Sequence, residues 1–293
     1  MSGTRLKPAR IAFGLLLAAI SLCFFCSWGF FAHIEINRLA VYTLPSEMGS
    51  FFKRNQEYLS EHAVDPDKRR YADTAEAPRH YLDTELYETH IDSIPRKWED
   101  ALNRYGAQKF HQNGTLPWQI IKSYYRLVHA FQQKDSARIL IYAAYLGHYV
   151  ADAHVPLHTT QNHDGQLSNQ KGIHAFWESR LPELFSKDYN YLTGRATYIN
   201  SPLKTTWEII SHTHTLVDSV LNCEASISAD FSGRQKYGFS KRNGQLLRQY
   251  SENYSRAYHQ RLNGMVERQM RASIQQIGSF WYSAWIDAGQ PDL

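Results

Sequence analysis

Apolar residues recur every three to four positions through most of the chain, and alternating β-branched runs bounded by hairpin turns are almost absent. That period predicts an all-α protein, with helices over about 33–44, 47–62, 95–104, 117–133, 136–154, 173–185, 201–222 and 243–286, the last broken near Asn263-Gly264. Pro45 opens the second helix. Pro156 stops the one that ends near His154, because proline lacks the amide hydrogen and clashes with the preceding turn. Asp65 to Asp83 and Thr159 to Lys171, rich in Pro, Asp, Asn and Gly, read as loops. No internal repeat or linker-like boundary interrupts the pattern. A single core can still serve a chain of roughly 250–300 residues, so the 293 residues predict a single-domain multi-helix bundle with long loops.

The first 27 residues follow another pattern. Arg5, Lys7 and Arg10 stand without an acid and precede an apolar run from Ile11 to about Cys26. This is the arrangement of an export signal, and cleavage before Trp28 would leave a periplasmic or secreted domain of residues 28–293. The alternative is a membrane anchor over residues 11–32, long enough for one span of ~20 residues.

Setting the leader aside changes the charge and the cysteine inventory. Three of the 32 basic residues go with it, so its removal leaves the remainder nearly balanced against 28 acidic residues. A protein that holds nucleic acid chiefly by neutralising phosphates carries a clear basic excess, so any polyanion must here be held locally. Cys23 and Cys26 also lie in the leader. Cys223 is then alone, and neither a disulfide nor a thiolate metal cluster can form in the remainder. The high aromatic content, 14%, falls largely at helical spacing, as in Tyr142, Tyr145 and Tyr149 or Phe280, Trp281 and Trp285, which predicts core packing.

The chemistry concentrates between Tyr145 and Glu178. His148 and Asp152 are four apart on one predicted helix, and His174 and Glu178 repeat the spacing on the next, so each pair projects from one face. Pro156 ends the first helix where His158 can turn back towards that face. A lone pair of this kind is ordinarily a satisfied polar contact. Two successive pairs with His158 between them, set in apolar sequence, need a cation, because burying so many ionisable groups unpaired costs several kcal/mol each. Imidazole and carboxylate ligands without thiolate suit a hydrolytic zinc site with open positions.

The pattern His148-x3-Asp152-x5-His158 followed by His174-x3-Glu178 resembles the trinuclear zinc phosphodiesterases, the superfamily that joins zinc-dependent bacterial phospholipase C to the single-strand nucleases of fungi and plants. In that superfamily the mature N-terminus is a tryptophan that binds metal through its amino group and carbonyl oxygen, and Trp28 stands just past the leader. Trp28-Gly29-Phe-Phe-Ala-His33 is similar to the Trp-Gly-x3-His of the nuclease branch. The family's aspartate, some fifteen residues before a histidine, is matched by Asp65 ahead of His80-Tyr81-Leu82-Asp83, with Asp73 as a competitor nearer His80. Glu178 and the gap from His158 to His174 are closer to the phospholipases.

The resemblance implies three Zn2+ per chain. Asp65, His80, His148 and Asp152 would hold the first, His158, His174 and Glu178 the second, and Trp28, His33 and a bridging Asp152 the third. Asp65 would also orient the attacking water and take its proton. By the same resemblance Tyr81 and Asp83 would meet a base and Lys68 a phosphate. The implied function is an exported hydrolase of phosphoric esters, with a nuclease acting on single-stranded DNA, RNA or nucleotides as the first expectation. A phospholipase C is the alternative, and a membrane-tethered metal-binding protein without turnover the third reading. A monomer with no obligate protein partner is expected. His154, His163, His212 and His214 have no counterpart in the pattern and are not assigned to the site.

Overall fold

The computed structural model describes residues 29–242 and 245–293. The leader and Trp28 lie outside them. Among the described residues helices predominate, and the only sheet is one two-stranded hairpin.

Four helices position the site. α1 is Phe30–Ala40, α2 Leu116–Gln132, α3 Ser136–Asp152 and α4 Met265–Asp287. A three-residue turn joins α2 to α3, with Lys134 in a left-handed conformation and the Asp135 carboxylate accepting from the Arg138 amide at 3.0 Å. α4 buries Met270, Ile274, Ile277, Trp281, Ala284 and Trp285, a stripe at helical spacing, against α1, α2 and α3. Trp281 donates its indole N–H to the Ala143 carbonyl at 2.9 Å and stacks its ring near Phe52, which in turn meets Phe131. The core sits between these helices, and α3 runs through it carrying His148 and Asp152.

α1 approaches α3 closely because of one glycine. A Cβ on Gly147 would lie 2.0 Å from Asn37 Oδ1, so only glycine admits the Asn37 amide, which donates to the Ala144 carbonyl at 3.1 Å. That approach stacks the His33 ring on His148, with centroids 4.1 Å apart.

Most elements fall where the periodicity places them, with instructive breaks. The segment 47–62 divides at Asn55 into Ser46–Arg54 and Gln56–Glu61. The helix beginning at Trp98 bends at Gly106, whose φ is 75°, and then continues to Asn113. Residues 201–222 form two helices, Pro202–His214 and Val217–Ser228. Asn263 and Gly264 both take positive φ and separate Glu252–Arg261 from α4, as expected from the dipeptide. The stretch 243–250 departs from expectation. It is not helical; β1 (Tyr237–Arg242) pairs antiparallel with β2 (Gln245–Tyr250). Its Leu246-Leu247 pair resembles part of a helical stripe, but among the described side chains of β2 only Tyr250 is buried, so burial imposes no alternation there.

Among the described residues no helix is long and apolar enough to cross a bilayer.

Candidate metal centre

Three groups of donors converge at the inner end of α3: His33, His148 and Asp152; Asp67, His80 and His148; and His158, His174 and Glu178. His148 Nε2 lies 3.2 Å from Asp152 Oδ2, as the four-residue spacing on α3 requires. His33 Nε2 lies 3.3 Å from Asp152 Oδ1 and 3.9 Å from Glu178 Oε1, so Asp152 stands between the first two groups and His33 looks towards the third. His174 Nε2 and Glu178 Oε2 are 2.7 Å apart. Glu178 sits in a π-helical turn, Phe176–Arg180, a widening of the helix that recurs at functional sites. After Pro156 a turn of 3-10 helix brings His158 Nε2 within 3.2 Å of the same carboxylate oxygen.

Backbone carbonyls fix how the rings face. His148 Nδ1 donates to the Ala63 carbonyl at 2.8 Å, His158 Nδ1 to the His80 carbonyl at 2.5 Å, and His174 Nδ1 to the His163 carbonyl at 3.1 Å. Each of these rings therefore turns its Nε2 inward. His148 Nε2 lies 2.9 Å from His80 Nδ1, and His174 Nε2 lies 3.1 Å from His158 Nε2. Nitrogen lone pairs at such separations repel unless a proton or a metal ion lies between them. Outer nitrogens tied to carbonyls with inner nitrogens free is the arrangement of metal-ligating histidines, and the donor set fits zinc.

Charge reinforces the arrangement. Burial opposes the charge on Asp152, yet His148, His158 and His33 hold its pKa well below the usual carboxylate range. Burial likewise opposes Glu178, and His158 and His174 hold it well below that range. The reciprocal effect, against burial, raises His158 to about 9 through Asp152 and Glu178. Without a metal, the proton held on His158 balances part of this negative charge; with one, the metal takes its place.

The aspartate expected at position 65 is not at the cluster. Asp65 Oδ2 lies 2.5 Å from His62 Nδ1 and Oδ1 lies 3.1 Å from Lys68 Nζ, so its partners are its neighbours three residues away on either side. Asp67 stands in the cluster instead, with Oδ1 3.6 Å from His80 Nδ1 and 3.9 Å from His148 Nε2. Asp73 is also elsewhere, accepting from the Ala75 amide. The cation beside the inward carboxylate also differs from the expected one. Lys68 is exposed and bonded to Asp65, whereas Arg70 Nη1 lies 3.4 Å from Asp67 Oδ1. Burial opposes the Arg70 charge, but Asp67, Asp152 and Glu178 hold its pKa above the ordinary value. A spacing of fifteen residues before His80 selects Asp65, whereas the carboxylate the fold turns towards His80 is Asp67, Asp65 being satisfied by His62 and Lys68.

Tyr81 and Asp83 flank Leu82, whose amide donates to the His158 carbonyl at 2.8 Å, so both lie beside the cluster. The Tyr81 hydroxyl donates to the Gln112 carbonyl at 3.2 Å. Asp83 is buried, and burial together with Glu85 pushes its pKa up to about 7. His154 lies apart from the donors, bonded to the Val150 carbonyl, and burial pushes its pKa down to about 4.

The sequence model of the zinc dependent phospholipase C family matches residues 32–241. No curated protein sequence matches the chain. Among solved structures, the alpha-toxin of Clostridium perfringens from avian strain SWCP is similar, with a TM-score of 0.54 and 14% identity, over 88% of this chain and 64% of the toxin. The alpha toxin of Clostridium absonum is similar with a TM-score of 0.52 and 10% identity, over 91% of this chain and 65% of the toxin. The matched region thus spans less than two thirds of either toxin, and at these identities the likeness is one of fold.

Proposed function

The chain belongs to the zinc dependent phospholipase C family, and from that premise we propose that it is an exported zinc hydrolase of phosphoric esters that cleaves phospholipid headgroups. The observation that carries the proposal is the convergence of three donor groups whose rings are turned inward by backbone carbonyls. His158, His174 and Glu178 would hold one zinc; Asp67, His80, His148 and Asp152 a second; His33 and Asp152, with the Trp28 amino group, a third.

Zinc supplies Lewis acidity and lowers the pKa of water to about 7. The residues do the rest. Asp67 is placed to orient the attacking water and accept its proton, in the role expected of Asp65. Arg70, beside Asp67 and under the pull of Asp152 and Glu178, is placed to bind the phosphate and stabilise charge as it develops on the oxygens. Tyr81 and Asp83 border the space where the rest of the substrate would lie. With a buried carboxyl whose pKa is near 7, Asp83 can either donate or accept a hydrogen bond there.

Gly29 supports a ligand role for the residue before it, since a Cβ on Gly29 would lie 2.5 Å from Glu178 Oε1. Cleavage before Trp28 would free an amino group next to that position.

A nuclease is the second reading. Asp67 and Arg70 keep the acid-to-base spacing of the nuclease pattern, and Trp28-Gly29-x3-His33 keeps its N-terminal spacing. Incubating the purified mature chain with phosphatidylcholine, single-stranded DNA and RNA, with and without chelator, separates the two. Chelator-sensitive release of phosphocholine with nucleic acid intact is the expected result. Cleavage of nucleic acid with the lipid untouched would replace the first reading by the second.

A further inference from the structure

Among its described side chains, the hairpin of β1 and β2 packs on the helical body at its base. At its base Tyr250 stacks on Phe176 at 3.9 Å, and Tyr237 stacks on Tyr250 at 5.2 Å. The Arg248 guanidinium lies 3.7 Å from the centre of the Tyr237 ring. Phe239 and Leu246 are each 69% exposed. Phe239 pairs with Arg248 and Lys241 with Leu246, and the period of two puts Phe239, Leu246 and Arg248 on one face.

The charge is one-sided. From Phe231 to Tyr250 the sequence contains Arg234, Lys241, Arg242 and Arg248, besides Lys236 paired with Glu224, and no acid. Beneath the hairpin, against the turn that carries His174, lies a cavity of about 310 Å³ lined by Lys171, Arg180, Phe176, Arg248, Gln249 and Tyr250 among others, again without an acid. Arg180 Nε and Gln249 Oε1 are buried and lack a partner.

We propose that this hairpin docks the protein on a bilayer containing anionic phospholipid, with the cavity beneath it receiving a lipid phosphate. An exposed apolar pair among basic residues is the composition of an interfacial element: the apolar side chains enter the acyl boundary and the cations meet the phosphates. A single strand of nucleic acid would also meet the charge and find one plane in Phe239, but the aliphatic Leu246 beside it suits acyl chains rather than stacked bases. The Tyr250 hydroxyl lies 3.5 Å from the Lys171 carbonyl, three residues before His174, so docking would bring that side of the metal centre to the lipid surface. The purpose of the docking rests on the phospholipid reading; the docking itself is tested apart from it.

The test uses the zinc-loaded mature chain. Its binding is measured by co-sedimentation with vesicles of phosphatidylcholine alone and with added phosphatidylglycerol, and its turnover on a soluble short-chain phosphatidylcholine. The wild type should bind the mixed vesicles more tightly. Phe239→Ser combined with Leu246→Ser should weaken that binding about tenfold or more while thermal midpoint and soluble turnover stay unchanged, and Arg248→Gln should weaken it at low salt. Equal binding by the variants, or a wild type that ignores both vesicles or prefers single-stranded RNA, would overturn the proposal. Hairpin-dependent binding without soluble turnover would leave docking standing and remove the phospholipase reading instead.

Discussion

Glu76 faces His80 from four residues earlier, with Oε1 3.6 Å from His80 Nε2, while Nδ1 of the same ring lies 3.0 Å from Asp152 Oδ2. Glu76 is fully buried and also meets the Tyr149 hydroxyl, Arg69 and Arg79. Burial opposes its charge, yet His80, Tyr149 and Arg69 hold it far below the usual range. A carboxylate held charged behind a ligating histidine fixes its tautomer and raises its basicity. Glu76→Gln, which keeps the shape and most of the contacts, should therefore lower zinc affinity about 10–100-fold with a smaller effect on folding. Competition with a chelating dye measures it, and an unchanged affinity would show that the group serves only the fold.

The two aspartates two residues apart make opposite predictions. Asp67→Asn should reduce kcat/KM by about 10²–10⁴-fold, the usual loss of a general base. Asp65→Asn removes only a local pair with His62 and the exposed Lys68, and should change kcat/KM by about twofold or less. Equal losses would mean that the register at the cluster is the one first expected from the spacing.

The contrast shows what the sequence could and could not reveal. His148, Asp152, His174 and Glu178 were legible because a helix puts residues four apart on one face whatever the tertiary context, and Pro156 marked where His158 turns back. Asp67 was not, because the five-residue helix Asp65–Arg69 that carries it is too short for an apolar period to set the phase and holds Asp65 as well. Glu76 was hidden because it lies in a turn, where no period runs. The hairpin escaped because, among its described side chains, Tyr250 is buried while Phe239 and Leu246 on the same face are exposed, so no apolar alternation marks the strands.

Gly147 links the core to the site. Gly147→Ala would force Asn37 away from α3 and carry α1 with it, parting the stacked rings of His33 and His148. Overpacking of this kind costs about 1–3 kcal/mol. The expected signature is a lower thermal midpoint together with loss of zinc from the His33 group, read by metal content after dialysis. A variant that loses stability but keeps its full metal complement would show that α1 can shift without disturbing His33.

Glu224 ties the base of the hairpin to the site loop. Its carboxylate accepts from Lys236 Nζ at 2.6 Å, Gln170 Nε2 at 2.7 Å and the Tyr254 hydroxyl at 2.5 Å. Burial opposes its charge, but Lys236, Tyr254 and Gln170 lower its pKa from the ordinary 4.5. A depressed carboxylate stabilises the fold above its unfolded pKa, and that contribution is lost as the pH falls through the folded one. Thermal midpoints from pH about 6 down to about 3 should therefore fall more steeply for the wild type than for Glu224→Gln. Glu224→Ala, which strands the largely buried Lys236, should cost about 3–5 kcal/mol at neutral pH. Parallel acid profiles for wild type and Glu224→Gln would remove this group from the account.

Processing supplies the last prediction. A free α-amino nitrogen has a lone pair for a metal, whereas an amide nitrogen has given its own to the peptide bond. If Trp28 ligates through its amino group, a chain that keeps its leader should lack part of the third donor group and turn over far more slowly than the mature one. Among the described residues the His158, His174 and Glu178 group already brings three donors together. The precursor should therefore fold and hold zinc there while losing metal elsewhere. Comparing metal content and turnover of a chain that begins at Trp28 with one carrying a single extra residue before it tests the point directly. Equal stoichiometry and equal turnover would show that His33 and Asp152 complete their group without the terminus.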